Sequence, residues 1–133
     1  MNLNVETVPG GYSFLLIGET ETHWALILRQ ALSPLGKLLV VPAKEAFRAV
    51  SEGRYDVIII DARAVRDAPR LVSRLLAQQP QARIIVATAS PTWQRSREVL
   101  QAGAADYIRK SLDEKELRSK IQAVLETPPS WSP

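Results

Sequence analysis

Short apolar runs alternate along this chain with longer stretches whose apolar residues recur every three to four positions. Runs of the first kind predict buried strands, and the periodic stretches predict amphipathic helices. Ser13 to Ile17 predicts a first strand. Thr20 or Thr22 then caps a helix on which Trp24, Ile27, Leu28, Ala31, Leu32 and Leu35 keep the helical period, with Gly36 at its end. Lys37 to Val41 predicts a second strand. Ala43 to Glu52 follows as a short helix, with Ala46, Phe47 and Val50 inward and Gly53 as its stop. Asp56 to Ile60 predicts a third strand.

Asp67 and Pro69 open a helix that buries Leu71, Val72, Leu75 and Leu76 and closes at Pro80. Arg83 to Thr88 predicts a fourth strand. Ser90-Pro91 supplies an N-cap and a first-turn proline for a helix running to Ala102, ahead of Gly103. Ala105 to Arg109 predicts a short fifth strand. Ser111-Leu112-Asp113-Glu114 is a capping-box pattern, and Leu117, Ile121, Val124 and Leu125 line one face of the last helix. Five strand–helix pairs in succession predict an α/β domain with a mostly parallel sheet, right-handed crossovers and helices on both faces. Residues 12–126 carry this pattern, 1–11 read as an N-terminal extension, and the Pro/Ser-rich 127–133 read as a tail or linker.

One feature breaks the apolar pattern where chemistry is expected. Val57, Ile58, Ile59 and Ile60 are four β-branched residues that run straight into Asp61. A continuous apolar run fits a strand buried on both faces. An acid at its end lies on the carboxyl edge of the sheet, where open α/β folds keep their sites. The plainer alternative is a helix cap or loop acid. Parallel strands present all their carboxyl ends on one rim. The chain places Gly18-Glu19, Asp61, Thr88 and Lys110 there, from four separate segments. Clustered carboxylates call for a cation. Mg²⁺ suits one or two carboxylates with phosphate oxygens, and Lys110 suits a carboxylate or a phosphoryl oxygen.

Composition narrows the chemistry. The 133 residues suit one domain, with 46% hydrophobic and 23% charged residues. There is no cysteine and one histidine, His23, which excludes thiolate chemistry and argues against a histidine metal cluster. No Gly-rich phosphate loop or nucleophile elbow is present, so a small α/β enzyme is the weakest reading. No apolar stretch reaches the roughly 20 residues of a membrane helix. Met1 to Gly11 lacks the pattern of a signal peptide, so a cytoplasmic location is expected. The net charge of +3 is mild. Arg63, Arg66, Arg70 and Arg74 read as a solvated face, and without interleaved aromatics nucleic acid is not expected as a partner of this domain alone.

The Asp61 strand, Ala87-Thr88-Ala89, the run Gln101-Ala102-Gly103-Ala104-Ala105-Asp106-Tyr107, and Lys110 together resemble the receiver domain of two-component response regulators, the CheY-like family. The resemblance covers about Tyr12 to Glu126. It implies a flavodoxin-like, doubly wound, five-stranded parallel sheet of order 2-1-3-4-5. It implies phosphoryl transfer from a histidine kinase or phosphotransfer protein to Asp61, with Thr88 and Lys110 contacting the phosphoryl group. Thr88 and Tyr107 would form the switch. Weakly bound Mg²⁺ would lie on Glu19, Asp61 and the backbone carbonyl of Arg63. The face of helix four, strand five and helix five, with Trp93, Arg97, Tyr107, Arg109 and Arg118, would meet a downstream protein or a second copy.

The chain departs from the family at three places. Gly18 and Glu19 stand where the family has two adjacent acids, Arg63-Ala64-Val65-Arg66 replaces a stretch that often holds proline, and Ser111 stands where the family has proline after the lysine. A phosphorylation-independent pseudo-receiver, used as a protein-binding module, is therefore the alternative. In that reading Asp61 is an acid held by Lys110, Glu19 serves the helix dipole, Thr88 is a strand-end residue, and Tyr107 is a fixed aromatic. Trp93 reads equally as an exposed partner contact or as a ring packed on its own surface, and in a pseudo-receiver the same face binds its partner constitutively.

Overall fold

In the computed structural model, which describes residues 11–127, five strands form one parallel sheet in the order β2-β1-β3-β4-β5. The strands are β1 (Tyr12–Ile17), β2 (Gly36–Val41), β3 (Val57–Asp61), β4 (Arg83–Thr88) and β5 (Asp106–Arg109). Between and after them run α1 (His23–Leu32), α2 (Ala46–Glu52), α3 (Ala68–Gln78), α4 (Trp93–Gln101) and α5 (Glu114–Leu125). The alternation of patterns predicts the parallel sheet with helices on both faces, and the resemblance implies this doubly wound, flavodoxin-like order. Residues 1–10 and 128–133, which hold most of the expected extension and tail, lie outside the described residues.

The period of two along the strands divides the core in two. Phe14, Leu16, Val57, Ile59, Ile85, Ala87 and Ile108 face α1 and α5. Leu15, Ile17, Ile58, Ile60, Ile84 and Val86 face α2, α3 and α4. β3 is fully buried, with all five residues including Asp61 inaccessible or nearly so. The strand register then sets the site: Ile17 pairs with Ile60 and Asp61 with Ala87. Gly18 therefore emerges beside Asp61. The interleaved β4–β5 register brings Thr88 level with Arg109, one residue before Lys110.

Several boundaries differ from expectation, each for a local reason. Thr22 caps α1 by accepting a hydrogen bond from the Ala25 N–H, so Thr20 is not the cap. Residues Ala43–Glu45 form a 3₁₀ turn ahead of α2 rather than its first turn. β3 begins at Val57, because the Asp56 carboxylate turns back to accept from the Ser13 N–H. Val72 and Leu75 of α3 are fully buried, whereas Leu71 and Leu76 are half-buried at the edges of its apolar face. α4 starts at Trp93, not after Ser90: the Thr92 hydroxyl accepts from the Arg95 N–H and is the N-cap. Asp113, not Ser111, caps α5 by accepting from Lys115 and Glu116 N–H groups. The Ser111 hydroxyl instead donates to Glu116 Oε1 and accepts from the Asp113 N–H.

Candidate functional site

Asp61 closes β3 at 5% exposure, the one buried charged residue among those described. Its Oδ1 accepts two hydrogen bonds, from Lys110 Nζ at 2.8 Å and from the Arg63 N–H at 3.0 Å. The Lys110 side chain is itself only 16% exposed. A buried carboxylate without a partner is costly, so this ion pair is what lets an acid end the most buried strand. Lys110 is aimed by the backbone: its N–H donates to the Thr88 carbonyl at 2.8 Å, extending the β4–β5 ladder by one bond. Asp61 Oδ2 carries no hydrogen bond among the described residues and faces Gly18. A Cβ placed on Gly18 would lie 3.1 Å from Asp61 Cβ and 3.6 Å from Oδ2.

Thr88 ends β4 half-exposed on the α3–α4 side, with its hydroxyl accepting from the Ser90 N–H at 3.2 Å. Tyr107 lies on the same side and packs against that half of the core. Its hydroxyl accepts from the Thr92 N–H at 3.3 Å, tying β5 to the cap of α4. Thr88 and Tyr107 line one cavity of about 250 Å³ with Val86, Val99, Arg66 and Glu98. The two residues expected to act as a switch thus share a space between β4, β5, α3 and α4.

Glu19 is exposed on the β1–α1 loop, and the described residues contain no group of three acidic, histidine or cysteine side chains able to hold a metal. Gly18 contributes no carboxylate, and one Asp61 oxygen already holds two donors. Arg63 meets Asp61 through its N–H. Asp61 and Glu19 are thus the two carboxylates that the rim offers a Mg²⁺ ion.

On the expected interaction face, Trp93 is 74% exposed with the Arg97 guanidinium 5.8 Å from its ring centroid. Arg109 is exposed on β5. Arg118 does not belong to this face. It follows the buried Leu117 on the stripe that meets α1, and its Nε donates to the Ala31 carbonyl at 2.7 Å. That carbonyl lies in the last turn of α1, where carbonyls lack helical partners. In the arginine series, Arg74 stacks over Phe47 at 4.4 Å while Arg63, Arg66 and Arg70 are exposed.

Periodicity predicts Trp24 on the core face of α1, and it is 6% exposed there. It also reaches the site. Lys110 Nζ lies 5.4 Å from its ring centroid, and its indole N–H donates to the Ser111 carbonyl at 3.0 Å. The available signal was positional: Trp24 opens the first turn of the helix that follows the Gly18-Glu19 rim segment.

A family model described as the response regulator receiver domain matches residues 16–122. The chain is 31% identical over 124 residues to the DNA-binding transcriptional regulator NtrC of Azospirillum brasilense, covering 90% of this chain and 26% of that protein. The chain thus spans about a quarter of that relative. The signal receiver domain of an HD domain-containing protein from Pseudomonas fluorescens Pf-5 superimposes with a TM-score of 0.76 at 28% identity, covering 93% of each chain. A Burkholderia pseudomallei response regulator, crystallised with a phosphorylated aspartic acid, a calcium ion and citrate, superimposes at a TM-score of 0.70. It is 26% identical and covers 87% of this chain and 67% of its own.

Proposed function

The chain belongs to the response regulator receiver family, a signalling module, and on that premise we propose that Asp61 is its phosphoacceptor. The observation that carries this reading is the division of labour within one carboxylate. Oδ1 is held by Lys110 and the Arg63 N–H, and Oδ2 is left without a hydrogen bond among the described residues. Oδ2 would attack the phosphorus of a phosphohistidine on a kinase or phosphotransfer protein. The P–N bond would break, its electron pair would stay on the histidine nitrogen, and an acyl phosphate would form on Asp61. Lys110 would neutralise charge on the transferred group, and the Thr88 hydroxyl would donate to one of its oxygens. No step is routed through a metal. The phosphorylated aspartate of the Burkholderia protein supports this chemistry by likeness.

The output would follow from the shared cavity. A phosphoryl oxygen that draws the Thr88 hydroxyl from Ser90 changes the wall facing Tyr107. Tyr107 in turn holds the cap of α4. The surface altered is α4–β5, with Trp93, Arg97 and Arg109. It would meet a downstream protein or a second copy of the chain.

One observation favours the second reading, a binding module that needs no phosphoryl group. Gly18 removes a carboxylate beside Asp61, and Lys110 already neutralises the acid that remains. Exposure to acetyl phosphate followed by intact-mass measurement separates the two. One added phosphoryl group in the wild type and none in Asp61→Asn supports the phosphoacceptor. Unchanged mass in both supports the binding module.

A further inference from the structure

We propose that Trp24 is the positioning residue of Lys110, holding the ammonium and its turn in the place from which they meet Asp61. The inference rests on the phosphoacceptor reading for its consequence and on geometry of its own for its cause. Lys110 is a long, flexible side chain, and fixing it costs rotamer entropy that one ion pair must offset. Here the ammonium is confined from two sides. Asp61 Oδ1 lies 2.8 Å from Nζ, and the Trp24 ring centroid lies 5.4 Å away. An ammonium within about 6 Å of an indole face is attracted by the ring, more strongly where water is excluded. Both side chains are largely buried, so this contact is of the stronger kind.

The indole acts a second time through its N–H. Its bond to the Ser111 carbonyl, at 3.0 Å, fixes the turn one residue after Lys110. Ser111 provides no ring constraint of its own, and its hydroxyl is engaged downstream, with Glu116 Oε1 and the Asp113 N–H. One α1 residue therefore fixes both the tip of Lys110 and the peptide that follows its backbone. Trp24 touches no reacting atom, so its effect on chemistry runs entirely through Lys110.

Two variants separate the two contacts. Trp24→Phe keeps an aromatic face and loses the indole donor, and Trp24→Leu loses both. The first readout is the proton NMR shift of the Lys110 ε-methylene, which a ring above the ammonium moves upfield of the other lysines. The second is affinity for beryllofluoride, a phosphoryl analogue. The upfield shift is expected in the wild type, reduced in Trp24→Phe and absent in Trp24→Leu. Beryllofluoride affinity should fall about thirtyfold in Trp24→Leu, the loss expected for a desolvated cation–π contact, with Trp24→Phe between it and the wild type. An ordinary Lys110 shift in the wild type, or equal affinity in all three, overturns the proposal. If Trp24→Leu does not fold, Trp24→Phe against the wild type decides by the same two readouts. If the wild type binds no beryllofluoride, the phosphoacceptor reading fails. The Lys110 shift alone then decides whether Trp24 positions the lysine.

Discussion

Lys110 Nζ stands 2.8 Å from Asp61 Oδ1, in a pair whose side chains are 16% and 8% exposed. The two residues are 49 positions apart in the sequence; Asp61 ends β3 and Lys110 follows directly on β5. Their pairing joins the carboxyl ends of β3 and β5 across β4. A pair this buried is asymmetric in its energetics: its formation contributes little net stability, while loss of one partner strands a charge.

Lys110→Met tests that asymmetry. The substitution keeps the apolar stem, leaves Asp61 buried without its cation, and should cost about 3 kcal/mol of folding stability. Asp61→Asn combined with Lys110→Met should recover most of that loss, because no charge is then stranded. Urea denaturation of the wild type and the two variants measures both numbers. A Lys110→Met protein as stable as the wild type would mean that the pair is solvated in solution.

Gly18→Asp tests the cost of the missing acid. A carboxylate there would stand against Asp61, whose Oδ2 lies 3.6 Å from the position of the new Cβ. Mg²⁺ affinity by isothermal titration should rise about tenfold or more, since a second charge adds to the attraction for a divalent ion. Without metal the variant should be less stable than the wild type, because two carboxylates then repel at close range. Equal Mg²⁺ affinity in the two proteins would show that the neighbouring acid is irrelevant to metal binding here.

Gly103→Ala tests the junction of α4 and β5. Gly103 has φ +115°, and an added Cβ would run into Leu76 Cδ1. Backbone strain and the clash should together destabilise the domain by about 1–3 kcal/mol, read as a lower urea midpoint. An unaffected midpoint would place Gly103 in a different conformation in solution.

The fold and the heart of the site were legible because both are written in unbroken patterns. β3 and β4 hold apolar runs that end in Asp61 and Thr88 on the rim, and Lys110 follows the short, mixed strand β5. Gly18 was visible as a missing acid, but its approach to Asp61 depends on the β1–β3 register, which sequence does not print. Trp24 was read as core because helical periodicity records which face is buried and says nothing of what the buried ring touches. Arg118 lies away from the expected face because its side chain turns with Leu117 toward α1, to a carbonyl in that helix's last turn. Thr92 and Asp113 displaced the expected caps because every Ser, Thr or Asp near a helix start offers the same oxygen, and only backbone geometry selects one.

On this reading a phosphoryl group on Asp61 acts on the α4–β5 surface through Thr88 and Tyr107. Backbone amide NMR of the wild type and Asp61→Asn, each with and without beryllofluoride, tests it most directly. With beryllofluoride, shifts should run in the wild type from Asp61 through Thr88, Thr92 and Tyr107 to Trp93 and Arg109, and none of them should occur in Asp61→Asn. Shifts confined to the immediate neighbours of Asp61, or the same shifts in both proteins, would contradict it.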